Sequence, residues 1–284
     1  MKKTKTKTKL VDTHPKLYAV LLVIGSMVAF GALVTIIQTI LRMIIMGQPT
    51  LKAETGLMPT IISFAAYLIV FALYCIKHRK DFKGFFRIKG LGSGLLLGWS
   101  EIAVILFIFI AGIVEHKVYG NIGIGIFLGL KPGVCEEIVF RIIPLSLIMK
   151  HEKREQLMIP AIITISAVFG LIHGANLLSG ANPVATLFQV LYAAGTGFLF
   201  AAIYLRTGNM WITIVLHSLA DINYYIGAQA QLGTGALTGS VNTFNAILYL
   251  VYAALYFANA FYIFRKSKRE EVPQLWSDIC TQEK

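Results

Sequence analysis

Acidic residues and cysteine are both scarce in this chain. Asp and Glu number 14 against 26 Lys and Arg, and there are three cysteines in 284 residues. Cys75, Cys135 and Cys280 are odd in number and fall within predicted membrane segments or on their inner side, so no disulfide framework is expected. The alternation of apolar and polar residues that marks membrane strands is missing, which excludes a β-barrel. No interval between apolar runs is long enough to bury its own core; the longest charged one is KHRKDFKGFFRIKG at 77–90. The lack of an internal repeat counts against a transporter built from two repeated halves. No RNA- or DNA-binding motif accompanies the formal charge of +12, so a nucleic-acid partner is not expected.

What the chain has is hydrophobicity. Hydrophobic residues make up 56% and charged ones 14%, and the apolar residues cluster into runs of about 17 to 25, enough to cross a hydrocarbon core. Eight such runs are marked: Leu17 to Met46, Gly56 to Ile76, Leu91 to Val114, Ile122 to Met149, Leu157 to Gly174, Val184 to Leu205, Met210 to Gly227 and Phe244 to Phe264. The fold class is therefore all-α, a polytopic membrane protein of about eight helices in one bundle, because a helix satisfies its own backbone in lipid.

The placement of the cations predicts topology. With the amino terminus inside, 21 of the 26 Lys and Arg fall in inner segments, Lys52 and Lys117 in outer loops, and Arg42, Lys131 and Arg141 within spans. That partition puts both termini in the cytoplasm, and the short loops suit a bacterial cytoplasmic membrane. The Lys-Thr alternation at the start reads as a topology signal, and the first apolar run is too long for a cleaved leader. The closing CTQEK has one residue too many for a prenylation box. QAQLGTGALTGS, at 229–240, reads as a flexible outer connection. The pairs Gly94 with Gly98 and Gly125 with Gly129 permit close helix approach without naming a contact.

A charge at the bilayer centre costs about 2.5 to 3.5 kcal/mol on insertion scales, so each ionisable residue in a span needs a partner or a task. They are Arg42, Glu101, Lys131, Glu136, Glu137, Arg141, His173, His217 and Asp221. Glu137 and Arg141 are four apart and stack on one helical face, whereas Glu136 points about 100° away. Glu136 is thus expected to be a buried carboxylate with no local partner, suited to work on water as a general base. Phe169 with His173, and His217 with Asp221, are two further pairs at helical spacing. So many polar groups in one bundle exceed what packing needs.

These residues resemble the CPBP family, which includes type II CAAX prenyl endopeptidases, bacteriocin-processing enzymes and Abi-type immunity proteins. The family pattern, Glu-Glu-xxx-Arg, then Phe-xxx-His, then His-xxx-Asn, reads here as Glu136-Glu137-IVF-Arg141, Phe169-GLI-His173 and His217-SLA-Asp221. The resemblance implies an intramembrane endopeptidase acting on membrane-associated proteins or peptide precursors. It implies that Glu136 and His173 activate a water, that His217 and Asp221 support the oxyanion, and that Glu137 with Arg141 is a structural ion pair. The divisions expected are a basic segment at 1–16, amino-terminal helices at 17–120, the catalytic core at 121–227, and the last helix and tail at 228–284.

One position departs from the pattern. Asp221 stands where the family most often has asparagine, and an ionised carboxylate accepts hydrogen bonds but cannot donate to an oxyanion. Orientation of His217 by Asp221 is the favoured reading, with protonation of Asp221 or altered activity as alternatives. The altered case opens a second class of function, a non-catalytic immunity or partner-binding membrane protein. No metal cofactor is expected. Zinc held by His173, His217 and Glu136 or Asp221 is the alternative, but no His-Glu-x-x-His helix supports it: HEKRE at 151–155 lacks the second histidine. Counted along straight helices, His217 lies in the inner third of its span and His173 near the outer end of its own, so tilt has to bring them together.

Overall fold

A computed structural model describes residues 9–48, 57–81, 86–114, 122–227 and 241–280. The helices are α1 (Leu10–Thr13), α2 (Pro15–Met46), α3 (Leu57–Lys77), α4 (Leu91–Leu97), α5 (Trp99–Val114), α6 (Ile122–Glu137), α7 (Ile143–Lys150), α8 (Arg154–Ile172), α9 (Pro183–Thr207), α10 (Met210–Gly227), α11 (Thr243–Ile263), α12 (Lys266–Arg269) and α13 (Val272–Ile279). A π-helical turn, Ile138–Ile142, joins α6 to α7, and a 3₁₀ turn, His173–Ser179, follows α8. Among the described residues there is no β-strand. The amino-terminal Lys-Thr run up to residue 8, Lys52, Lys117, the connection at 229–240 and all but Cys280 of the closing CTQEK lie outside them.

Helices occupy all eight predicted runs, and the exact count of eight spans is not confirmed among the described residues. Among the described residues five helical segments are long and apolar enough to cross a membrane: Pro15–Met46, Leu57–Lys77, Arg154–Ser179, Pro183–Thr207 and Thr243–Ile263. A sixth exists if α4 and α5 are counted together, but these two meet at a bend of 76°. The run at 122–149 is divided by its π turn, and α10 carries His217, Asp221 and Asn223 within 18 residues.

The bend between α4 and α5 falls at Gly98. A broken helix in lipid leaves carbonyls without partners, each at a cost of several kcal/mol. Here the Asn259 side-chain amide on α11 donates to Leu97 O and to Ser100 Oγ, both at 2.9 Å. The bend also turns Glu101, in the first turn of α5, into the interior, where it is 3% exposed.

The pairing of α6 with α10 sets the site. Gly125, Gly129 and Gly133 lie four apart and face Ile226, Ile222 and Ser218, also four apart, so the two helices run antiparallel at close range. A Cβ on Gly129 would meet the backbone of Ile222, and one on Gly133 the backbone of Ser218. Backbone cannot swing aside as a side chain can. We expect Gly129→Leu to cost about 2 to 3 kcal/mol, the upper range for overpacking, seen as a lowered unfolding midpoint in detergent. Gly25→Leu, where nothing lies within 4 Å, should leave the midpoint in place.

Polar contacts mark the two ends of the bundle. At one end Lys150 Nζ pairs with Asp81 (2.9 Å), Lys153 with Asp12, and Arg206 with Glu271 (2.9 Å). Arg154 donates to Met149 O and Ser277 Oγ, and the Trp276 indole of α13 donates to Leu205 O at 2.9 Å. At the other end Asn176 donates to Gln189 at 2.9 Å, and Asn182 and Asn242 cap α9 and α11. The basic connections thus gather at the first end.

Candidate active site

The glycine seam carries the last turn of α6 against the middle of α10, delivering Glu136 and Glu137 beside His217. The π turn starts directly after them and widens the helix by one residue, a feature common at functional sites. Arg141 nevertheless stays on the Glu137 face. Its Nη1 donates to Glu137 Oε1 at 2.9 Å, with both side chains fully buried. The predicted ion pair is present.

Glu137 has a second partner that helical spacing does not reveal. His217 Nδ1 lies 2.7 Å from the same Oε1. A carboxylate beside Arg141 accepts and does not donate, so the hydrogen sits on Nδ1 and the Nε2 face is turned to the cavity. The expected orienting bond from Asp221 is replaced by this one: Asp221 Oδ2 is 3.6 Å from Nε2, beyond hydrogen-bond length. Glu136 Oε2 is 3.8 Å from the same nitrogen. Glu136 is also not the sealed carboxylate that its place in an apolar run suggests, since its side chain is 35% exposed.

His173 heads the 3₁₀ turn at the end of α8. Its Nδ1 faces Phe169 O at 2.7 Å. A carbonyl only accepts, so this nitrogen too carries the hydrogen, and the Nε2 lone pair is available to a water. Phe169 joins the parts of the site. Its ring lies 5.0 Å from the His173 ring and 6.0 Å from that of His217, edge-on to both. The Arg141 guanidinium carbon sits 3.8 Å above its centroid, a cation–π contact that shields the buried charge.

The expected mismatch of depth is resolved at the start of α10. Met210 and Ile212 are no more than 1% exposed, and Gly208 packs against Ile279 of α13. The helix begins inside the bundle beneath α13, so a count from the lipid surface misplaces His217. Glu136, His173, His217 and Asp221 all line one cavity of about 400 Å³, with Phe169 and Glu101. Glu101 stood among the buried acids of the sequence without a role. A carbonyl at the bend is bonded by Asn259, 158 positions beyond Glu101 in sequence, a partner that no local spacing could reveal. Among the described residues no group of three or more His, Cys, Asp or Glu is arranged to hold a metal ion.

Residues 118–223 match the family model described as type II CAAX prenyl endopeptidase Rce1-like. No curated protein and no solved structure matches the chain.

Proposed function

We propose, from the match of residues 118–223 to that family model, that the chain is a CPBP-family intramembrane protease that hydrolyses peptide bonds of membrane-associated proteins or peptide precursors with a glutamate-activated water. The observation that supports this most is the convergence of Glu136, His173, His217 and Asp221 on one cavity. Glu136 takes a proton from a water that also hydrogen-bonds the Nε2 lone pair of His173. The hydroxide adds to the peptide carbonyl carbon, and the carbonyl oxygen becomes an oxyanion facing His217. With Nδ1–H committed to Glu137, a proton on Nε2 of His217 donates to that oxyanion. The intermediate collapses as the C–N bond breaks, and Glu136 returns its proton to the leaving amine.

Asp221 is left free to act on the oxyanion, and it donates only while protonated. Asp221→Asn supplies an amide donor at every pH. We expect this variant to keep cleavage and to extend its pH profile toward the alkaline side, measured as kcat/KM from pH 5 to 9. A profile that does not move would separate Asp221 from the oxyanion.

The basic end of the bundle suits the cytoplasmic face of a bacterial membrane. Asn176, Gln189 and Tyr249 extend the cavity lining toward the opposite end, which supports entry of substrate from the outer face. The test is reconstitution into proteoliposomes with a lipid-anchored peptide library on either leaflet, with and without chelator. Cleavage that survives chelation and is confined to the leaflet away from the basic end is expected. Loss on chelation, restored by zinc, would move the reading to a metal-dependent protease.

A further inference from the structure

The hydrolytic scheme leaves one acid of the cavity unused. Glu101 is 3% exposed, lines the cavity, and has an Oε2 that is buried without a hydrogen-bond partner. Its carboxylate lies within reach of the Tyr256 hydroxyl. His217 is already bonded to Glu137 and flanked by Glu136 and Asp221. A carboxylate this deep in an apolar bundle is expensive unless something neutralises it.

The wall beside Glu101 is aromatic. Tyr192 of α9 and Tyr249, Tyr252 and Tyr256 of α11 all line the cavity, and the first two stack with ring centroids 5.7 Å apart. Aromatic faces around a buried carboxylate are complementary to an organic cation, which gains from the ring quadrupoles and from the charge together. An apolar group would leave Oε2 unsatisfied, and an anion would meet Glu101, Glu136 and Asp221 at once. A cavity of about 400 Å³ has room for a long side chain beside the reacting water.

We propose that Glu101, with Tyr192, Tyr249, Tyr252 and Tyr256, forms a subsite that receives a cationic group of the substrate, so that a basic residue near the scissile bond determines which peptides are cut. The proposal rests on the reading of the site as a peptide hydrolase. The cation has two sources, a Lys or Arg side chain or a free peptide amino terminus.

The test uses fluorogenic lipid-anchored peptides in which one Lys is moved through the positions around the cleaved bond, each matched by a norleucine peptide and made with free and acetylated amino termini. The full-length protein should prefer Lys to norleucine at one position by about ten- to hundredfold in kcat/KM, the range for a hydrogen bond to a charged group. Glu101→Gln should bring that ratio close to one. Tyr252→Leu, at a half-buried position where folding is less at stake, should lower it about threefold or more. Dependence on the free amino terminus instead would assign the same subsite to an α-amine. Equal use of Lys and norleucine by the wild type, or an unchanged ratio in Glu101→Gln, would overturn the proposal. Binding of the same peptides is measured alongside by fluorescence polarisation. If nothing is cleaved, the hydrolase reading falls, while the Lys-over-norleucine binding ratio in wild type and Glu101→Gln still decides the subsite.

Discussion

Glu136→Gln is expected to lower peptide cleavage by about 10³-fold or more while the protein inserts and unfolds as the wild type does. The size follows from the role, since a positioned general base contributes about 10² to 10⁴ in rate. Glutamine keeps the shape of glutamate but cannot take the proton from water. The stability half of the result follows from packing. The Glu136 side chain is 35% exposed and its ionic contact with His217 is 3.8 Å long, so the amide should change stability by no more than about 0.5 kcal/mol. Single-turnover cleavage of a lipid-anchored peptide, with unfolding in the same detergent, measures both. Unchanged cleavage by Glu136→Gln would remove Glu136 as the base, whereas no cleavage by the wild type would favour a non-catalytic immunity or partner-binding protein.

Arg141→Met should fail in the opposite way, through the fold. The guanidinium is fully buried, bonded to Glu137 at 2.9 Å and stacked on Phe169, with Phe140 and Phe200 within 6 Å. Methionine fills much of the volume but leaves Glu137 facing His217 alone. Removing one partner of a buried ion pair costs about 3 to 5 kcal/mol, because the other charge stays desolvated. A lower unfolding midpoint and loss of monodisperse protein in detergent are the readouts. The double variant Glu137→Gln with Arg141→Met should recover part of the loss, since neither charge then remains. A midpoint within about 1 kcal/mol of wild type for Arg141→Met would mean that the pair is dispensable. Two glutamates adjacent in sequence thus have separable phenotypes, one chemical and one structural.

That separation was half legible beforehand. The four-residue spacing of Glu137 and Arg141 predicted their pairing, because neighbours on one helical face are set by the local 3.6-residue repeat. The same repeat placed Glu136 on a different face. It was silent on the bond from His217 to Glu137, which joins helices 80 residues apart, and so the orienting role went to Asp221, the acid within reach along the same helix. The glycines at 125 and 129 marked a helix able to approach another closely. Which helix it approaches depends on the antiparallel match with Ile222 and Ile226.

Composition and periodicity alone determined that the chain is helical, apolar enough to cross a membrane, and furnished with a small ordered set of acids and imidazoles. Those properties are local, written in runs, spacings and the cost of charge in lipid. Tertiary structure decided the rest: that α4 and α5 bend apart with Asn259 closing the gap, that α10 starts below the surface, and that Glu101 opens onto the same cavity as the predicted residues. Each of these depends on which helices become neighbours, and that is selected by shape and by buried polar groups finding partners far away in sequence.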